Sequence, residues 1–122
     1  MKKIIFLAFF LTAGVSYAQD LKWDPKTTFD GVFDIVDSDF VPKPSKQPYE
    51  KVIENFKIEP QYCIFFEDIA RNLKPAHELG MKTVWIENDE PWASKYSDSE
   101  FINYKTKNLA NFLKEINEFR QI

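Results

Sequence analysis

Phe65-Phe66-Glu67-Asp68-Ile69-Ala70-Arg71-Asn72 joins the end of an apolar run to two adjacent acids and the start of a helix. Cys63 to Phe66 is an unbroken apolar run of strand length, and polarity changes abruptly at Glu67. Asn72, Pro75 and Gly80 bracket a helix of roughly Leu73 to Leu79, with Asn72 as its N-cap and Gly80 just past its C-terminus. Open α/β sheets place their ligands beyond the carboxyl ends of their strands. Acidic side chains arriving there suit a hard cation such as Mg²⁺.

Working outward, Lys82 to Ile86 reads as a second strand, rich in the β-formers Thr83, Val84, Trp85 and Ile86. Upstream, a helix is expected from near Pro48, because proline is tolerated in a first turn. Val52, Ile53 and Phe56 share one face of it, and Glu50, Lys51, Glu54 and Asn55 mostly face water. Pro42, Pro44 and Pro48 stiffen the loop before it, and Val32, Phe33, Ile35 and Val36 form a short strand or turn after Gly31. Leu21 to Thr28 is turn-like, with Asp24-Pro25 as a local stop. Beyond the second strand lie a polar loop from Glu87 to Ser99 and a last short strand within Phe101 to Thr106. A terminal amphipathic helix follows, marked by Leu109, Phe112, Leu113 and Ile116. Helix–strand–helix–strand order predicts an α/β fold with a short parallel sheet and flanking helices.

The 122 residues suit one small domain, and the hydrophobic (44%) and charged (29%) fractions are those of an ordinary soluble protein. A formal net charge of -3, with no basic stripe interleaved with aromatics, argues against a nucleic-acid partner. Cys63 is the only cysteine, so an intrachain disulfide is excluded, and its apolar setting predicts a plain buried thiol.

The N-terminus supports two readings. Lys2 and Lys3 precede the apolar run Ile4 to Val15, and Ser16-Tyr17-Ala18 offers small residues where a signal peptidase inspects them. On that reading residues 1–18 are an export signal, Gln19 begins the mature chain, and the protein is secreted or periplasmic. The run is too short for a stable membrane span. On the other reading Lys3-Ile4-Ile5-Phe6-Leu7 is a buried parallel strand, and the chain is cytoplasmic. Residues 19–122 form the partial α/β domain in either case.

Glu67 and Asp68 are the sharpest candidates for chemistry. Neighbouring side chains on an extended segment point to opposite faces, so both rarely bind one metal directly unless the chain turns there. Asp68 is therefore expected as the direct Mg²⁺ ligand, with Glu67 acting through bound water. The competing reading makes both acids idle residues that complement a helix dipole. Lys43 lies between Pro42 and Pro44, whose fixed φ angles limit its backbone. An ammonium held there suits a phosphate oxygen, although a lone lysine in such a loop is commonly a solvated surface group. Asn72 caps its helix, donates a hydrogen bond into the site, or does both. Arg71 has an anion-binding side chain but reads by default as solvent-exposed. His77, the only histidine, lies in a helix without a second ligand at metal-binding spacing. Trp23, Trp85 and Trp92 are assigned to packing or loop anchoring. The absence of a glycine-rich phosphate loop argues against the common kinds of nucleotide-triphosphate and dinucleotide binding.

Taken in order, Phe29-Asp30-Gly31-Val32-Phe33-Asp34-Ile35-Val36, Val41-Pro42-Lys43-Pro44 with Pro48-Tyr49, Phe66-Glu67-Asp68-Ile69-Ala70-Arg71-Asn72-Leu73 and Pro75 to Trp85 resemble the haloacid dehalogenase-like (HAD) hydrolase superfamily. The closer resemblance is to its pyrimidine 5'-nucleotidase branch. It covers residues 29 to 86 densely and implies an incomplete Rossmann-like HAD core. It further implies a Mg²⁺-dependent phosphatase in which Lys43 steadies nucleophile and phosphate and Asp68 binds the metal with Glu67 beside it; Asn72, from the reading of the residues themselves, is the supporting candidate. Members of the family use an Asp nucleophile to form an aspartyl-phosphate, and a second Asp two residues later acts as acid/base. That Asp-x-Asp belongs at the end of the first strand. Here the only such pair is Asp37-Ser38-Asp39, a few residues before Lys43, and the helical cap that selects substrate is absent. The Lys3-Ile4-Ile5-Phe6 run faintly resembles the family's second strand, with Leu7 where a phosphate-binding hydroxyl is expected.

Three expectations follow, in order of preference. The chain is a truncated HAD-like phosphohydrolase fragment, inactive alone, that homodimerises or complements an N-terminal fragment. It is an active phosphatase acting on a phosphate monoester with Asp37 or Asp39 as nucleophile. Or it is a small exported binding or structural protein on a hydrolase-derived scaffold.

Overall fold

The structure, a computed structural model, describes Ile4, Ile5 and residues 31–120. Apart from Ile4 and Ile5, both readings of the N-terminus lie outside the described residues, as do Trp23, the Asp24-Pro25 stop and the Phe29-Asp30 end of the family-like stretch.

The apolar run predicted at Cys63–Phe66 forms β2, Ile64–Glu67. It lies between β1 (Ile4–Ile5) and β3 (Lys82–Ile86), and β4 (Tyr104–Thr106) completes the sheet in the order β1-β2-β3-β4. Every pairing is parallel, with Ile4 opposite Ile64, Glu67 opposite Trp85 and Val84 opposite Tyr104. Helices supply the crossovers: α1 (Lys46–Phe56) precedes β2, α2 (Leu73–Glu78) links β2 to β3, and α4 (Leu109–Arg120) follows β4. Strands covered on both faces are buried throughout, which is why β2 reads as a continuous apolar run rather than an alternating one. The α/β fold with a short parallel sheet is therefore the observed one, and it is that of a partial Rossmann-like core. Among the described residues no helix is long and apolar enough to cross a membrane.

The core joins Tyr49 and Val52 of α1 to Phe65 of β2, Leu73 and Ala76 of α2, and Trp85 of β3, with Cys63 buried as predicted. Tyr49 and Phe65 meet ring to ring at 5.4 Å. Gly31 lies against Phe56 so closely that a Cβ would sit 2.2 Å from its ring, so a side chain there would displace α1's inner face. Gly80 takes φ 97°. Its N–H bonds the His77 carbonyl at 2.9 Å and that of Met81 bonds Ala76 at 3.0 Å. This paired pattern is the left-handed helix stop expected of a glycine after the last turn.

Several boundaries differ from the sequence reading. β2 begins and ends one residue later than expected, which brings Glu67 into the ladder opposite Trp85. α1 starts at Lys46, so Pro48 sits within its first turn. The polar loop contains a one-turn helix, α3 (Pro91–Ser94), seated on the buried Ala93. β4 is only three residues long because Phe101 and Asn103 are used in another way. Thr83 Oγ1 donates to the Phe101 carbonyl at 2.6 Å, and Thr83 N donates to Asn103 Oδ1 at 3.0 Å. Those bonds clamp the approach to β4 before the ladder begins. Trp92 is largely exposed rather than anchoring its loop.

Candidate functional site at the end of β2

β2 ends with Glu67 buried, and the chain bends at the exposed Asp68 that follows it. Lys43 enters from the Pro42–Pro44 loop and forms a hydrogen-bonded ion pair with Glu67 Oε2. Only 9% of the Lys43 side chain and 4% of the Glu67 side chain reach solvent, so the pair is a buried one. The lysine ammonium also lies 5.9 Å from the centroid of the Phe65 ring. Glu67 Oε1 accepts the Ile69 N–H at 3.2 Å, which folds the strand end into the turn that precedes α2. Both oxygens of Glu67 are thus engaged within the fold.

Burial pushes the Glu67 carboxyl above its ordinary value of 4.5. The Lys43 charge opposes that rise, a contact with the Asp68 side chain reinforces it, and the Ile69 N–H works against it. Burial likewise raises the Tyr49 hydroxyl, and the nearby Glu67 charge adds to the effect. Tyr49 accordingly acts as a neutral donor, bonding the Asn72 carbonyl oxygen at 2.5 Å. Trp85 reaches across from β3 and donates its Nε1–H to the Asp68 carbonyl oxygen at 2.8 Å. The backbone bearing Asp68 is therefore held by a side chain whose sequence context spoke only of packing.

Asn72 differs from expectation. It occupies the position before α2, but its side chain makes no capping hydrogen bond. Its φ and ψ of -74° and -10° are already helical, because the short 3₁₀ turn Ala70–Asn72 runs directly into α2. A side chain caps when its own residue is extended, and that condition fails here. Asn72 is instead buried, with Oδ1 lacking a hydrogen-bond partner among the described residues. His77 Nδ1 is in the same state.

The Asp-x-Asp pair has other employment. Asp37 Oδ2 accepts the Asp34 N–H at 2.8 Å within an exposed turn, and Asp39 is paired with Lys51 of α1. Neither bonds Lys43, Glu67 or Asp68 among the described residues. No group of three or more His, Cys, Asp or Glu side chains is placed to hold a metal ion there either. The donors at the strand end are Asp68 and the engaged Glu67. Magnesium retains several waters and takes one or two carboxylates together with substrate oxygens, so this donor set fits that ion.

Residues 24–86, just over half of the chain, match the family described as haloacid dehalogenase-like hydrolase. The chain belongs to that family. Among curated relatives, it is 37% identical over 46 residues to the bifunctional epoxide hydrolase 2 of Mus musculus, covering 38% of this chain and 8% of that protein. It is 38% identical over 56 residues to flavin mononucleotide hydrolase 1 of Arabidopsis thaliana, covering 46% of this chain and 23% of the relative. This HAD-like chain thus spans less than a quarter of either relative. Among solved structures, a dehalogenase superposes with TM-score 0.58 at 19% identity, covering 71% of this chain and 37% of that one. An L-2-haloacid dehalogenase superposes with TM-score 0.57 at 18% identity, covering 74% and 40% respectively. At these identities the structural likeness establishes the fold.

Proposed function

We propose that this chain retains the phosphate-positioning half of a pyrimidine 5'-nucleotidase-like site and does not hydrolyse phosphate monoesters at an appreciable rate on its own. The observation that carries this reading is the buried Lys43–Glu67 pair with Asp68 emerging beside it at the carboxyl end of β2. Burying two charges is costly unless their geometry is used, and a lysine held against a carboxylate at a ligand-binding strand end is oriented for an anion. In this reading Asp68 holds Mg²⁺ directly, and Glu67, whose oxygens are occupied, acts through water. Bound Mg²⁺ would supply neutralisation of phosphate charge. Lys43 binds and orients a phosphate oxygen, and Asn72 offers its amide oxygen, which has no partner among the described residues, to a water or hydroxyl at the same end of the sheet.

Covalent phosphoryl transfer also needs a positioned nucleophile. β1, the strand beside β2, is followed by sequence with no Asp or Glu before Asp20. Asp37 and Asp39 are engaged by Asp34 and Lys51. These facts support a site that binds more readily than it turns over. The nucleotide branch draws support from the relative whose name is flavin mononucleotide hydrolase, a protein acting on a nucleotide.

The test is phosphate release from uridine and cytidine monophosphates by the purified chain, with and without Mg²⁺, beside Asp68→Asn. The reading expects background release in all cases, with Mg²⁺-dependent retention of the nucleotide that Asp68→Asn abolishes. Mg²⁺-dependent turnover lost in Asp68→Asn would overturn the inactive reading and direct attention to Asp37 and Asp39.

A further inference from the structure

Beside α2 lies a cleft of about 650 Å³, whose wall includes Pro44, the neighbour of Lys43. Its walls come from three separate segments: the Pro44–Lys46 entry to α1, the α2 region from Arg71 to Glu78, and the stretch after α3. Lys46, Arg71, Lys74 and Lys95 line it, against Glu78 as the one carboxylate. The whole chain carries a formal charge of -3, so this concentration of cations runs against the protein's overall balance. Two of the four are held only loosely. Lys46 meets Glu50 at 3.4 Å and Lys74 meets Glu78 at 3.8 Å, both as exposed pairs one helical turn apart. Such pairs are weak and exchange readily with a competing anion. Arg71 and Lys95 have no ion-pair partner among the described residues.

Aromatic rings complete the walls. Phe101 lines the cleft, and Tyr96 is half exposed and holds φ 75°, a left-handed value that a tyrosine seldom adopts. Lys95 Nζ lies 5.3 Å from the centre of the Tyr96 ring, so a cation and an aromatic face are presented together. Arginine's planar fork matches phosphate oxygens in pairs, and lysine ammoniums neutralise the remaining charge. A volume of this size accommodates a small organic ligand.

We propose that this cleft binds a nucleoside diphosphate, its diphosphate on Arg71, Lys95, Lys46 and Lys74 and its base against Tyr96. Its four cations are none of the residues of the Lys43–Asp68 centre, although Pro44 beside Lys43 forms part of its wall, and the proposal does not depend on that centre's function. Recognition comes from side chains gathered by the fold rather than from a glycine-rich loop, which is why no phosphate-binding motif marks it in the sequence.

Calorimetric titration of the purified chain with ADP at low salt and in EDTA, which removes the Mg²⁺ on which nucleotide retention at Asp68 depends, tests the proposal, with pyrophosphate and adenosine as separate titrants. One saturable site is expected, weakened about tenfold or more in Arg71→Gln/Lys95→Gln and unchanged in Asp68→Asn. Both replaced cations are exposed, and circular dichroism verifies that the variant is folded. Tyr96→Ala is expected to weaken ADP while leaving pyrophosphate unaffected. The proposal is overturned by no saturable binding to folded protein, or by binding that Asp68→Asn removes and Arg71→Gln/Lys95→Gln spares. Pyrophosphate binding as tightly as ADP would overturn the assignment of a nucleoside. Failure of the phosphatase-site reading leaves every one of these outcomes readable.

Discussion

Two lysine–carboxylate pairs tie α1 and its preceding loop to the rest of this chain, and they differ in almost everything except their chemistry. Lys43 and Glu67 are 9% and 4% exposed along their side chains, whereas Lys51 and Asp39 are 29% and 71% exposed. The first pair spans 24 residues and joins a loop to the end of a central strand. The second spans 12 and fastens a surface turn to a helix. In water the attraction between two such charges is largely offset by hydration and salt, so the outer pair contributes little. In the interior each charge depends on its partner, and removing one leaves the other stranded. Burial, and not the identity of the partners, makes one pair a candidate site and the other a surface contact.

The largest test of that contrast is Lys43→Met, expected to cost about 3–5 kcal/mol of unfolding free energy in urea titration. Replacing both partners, Lys43→Met with Glu67→Leu, should recover most of the loss, because the charge left stranded by the single change is gone. A single-variant cost below about 1 kcal/mol would erase the distinction between the two pairs. The loss should also depend on pH. Glu67's folded pKa lies above its ordinary 4.5, so its contribution to stability is greatest below that value and falls as pH rises through the folded pKa. Without Lys43 the folded pKa rises further. The destabilisation in Lys43→Met should therefore be smallest in acid, where Glu67 is protonated, and grow as pH increases.

A smaller effect is expected at Tyr49, whose hydroxyl bonds the Asn72 carbonyl beneath the site. Tyr49→Phe should lower stability by about 1 kcal/mol, read from thermal unfolding, because the ring still fills the core while a buried carbonyl loses its donor. A neutral result would mean that water replaces the hydroxyl. The smallest effect belongs to the outer pair. Lys51→Gln should change stability by less than about 0.5 kcal/mol, and added salt should remove even that. A cost comparable to that of Lys43→Met would show that exposure does not separate the pairs.

The element reading fared well where local patterning governs. Lys82–Ile86 is a strand with the expected bounds because β-branched and aromatic residues run without interruption. Gly80 ends α2 as expected because a left-handed residue is needed there. The site was legible only in part. Lys43, Glu67 and Asp68 were singled out from the sequence, but the direct bond between Lys43 and Glu67 depends on how the proline loop meets the end of β2. Asn72 has a good capping side chain, yet a preceding 3₁₀ turn removes the extended backbone that capping requires. Trp85 was assigned to packing, and nothing in its neighbours indicated that its indole N–H would hold the Asp68 backbone.

The kinds of element, their order and the strand end at which acidic residues gather are all written in the linear order of residues. Those follow from periodicity, propensity and turn chemistry, which act over a few neighbouring residues. Tertiary structure alone decided which acid is buried, which lysine meets it, and which four cations share a cleft. These depend on contacts between segments distant in the chain. Parallel crossovers set those contacts, and the desolvation that gives Lys43 and Glu67 their weight exists only once the helices have closed over the sheet.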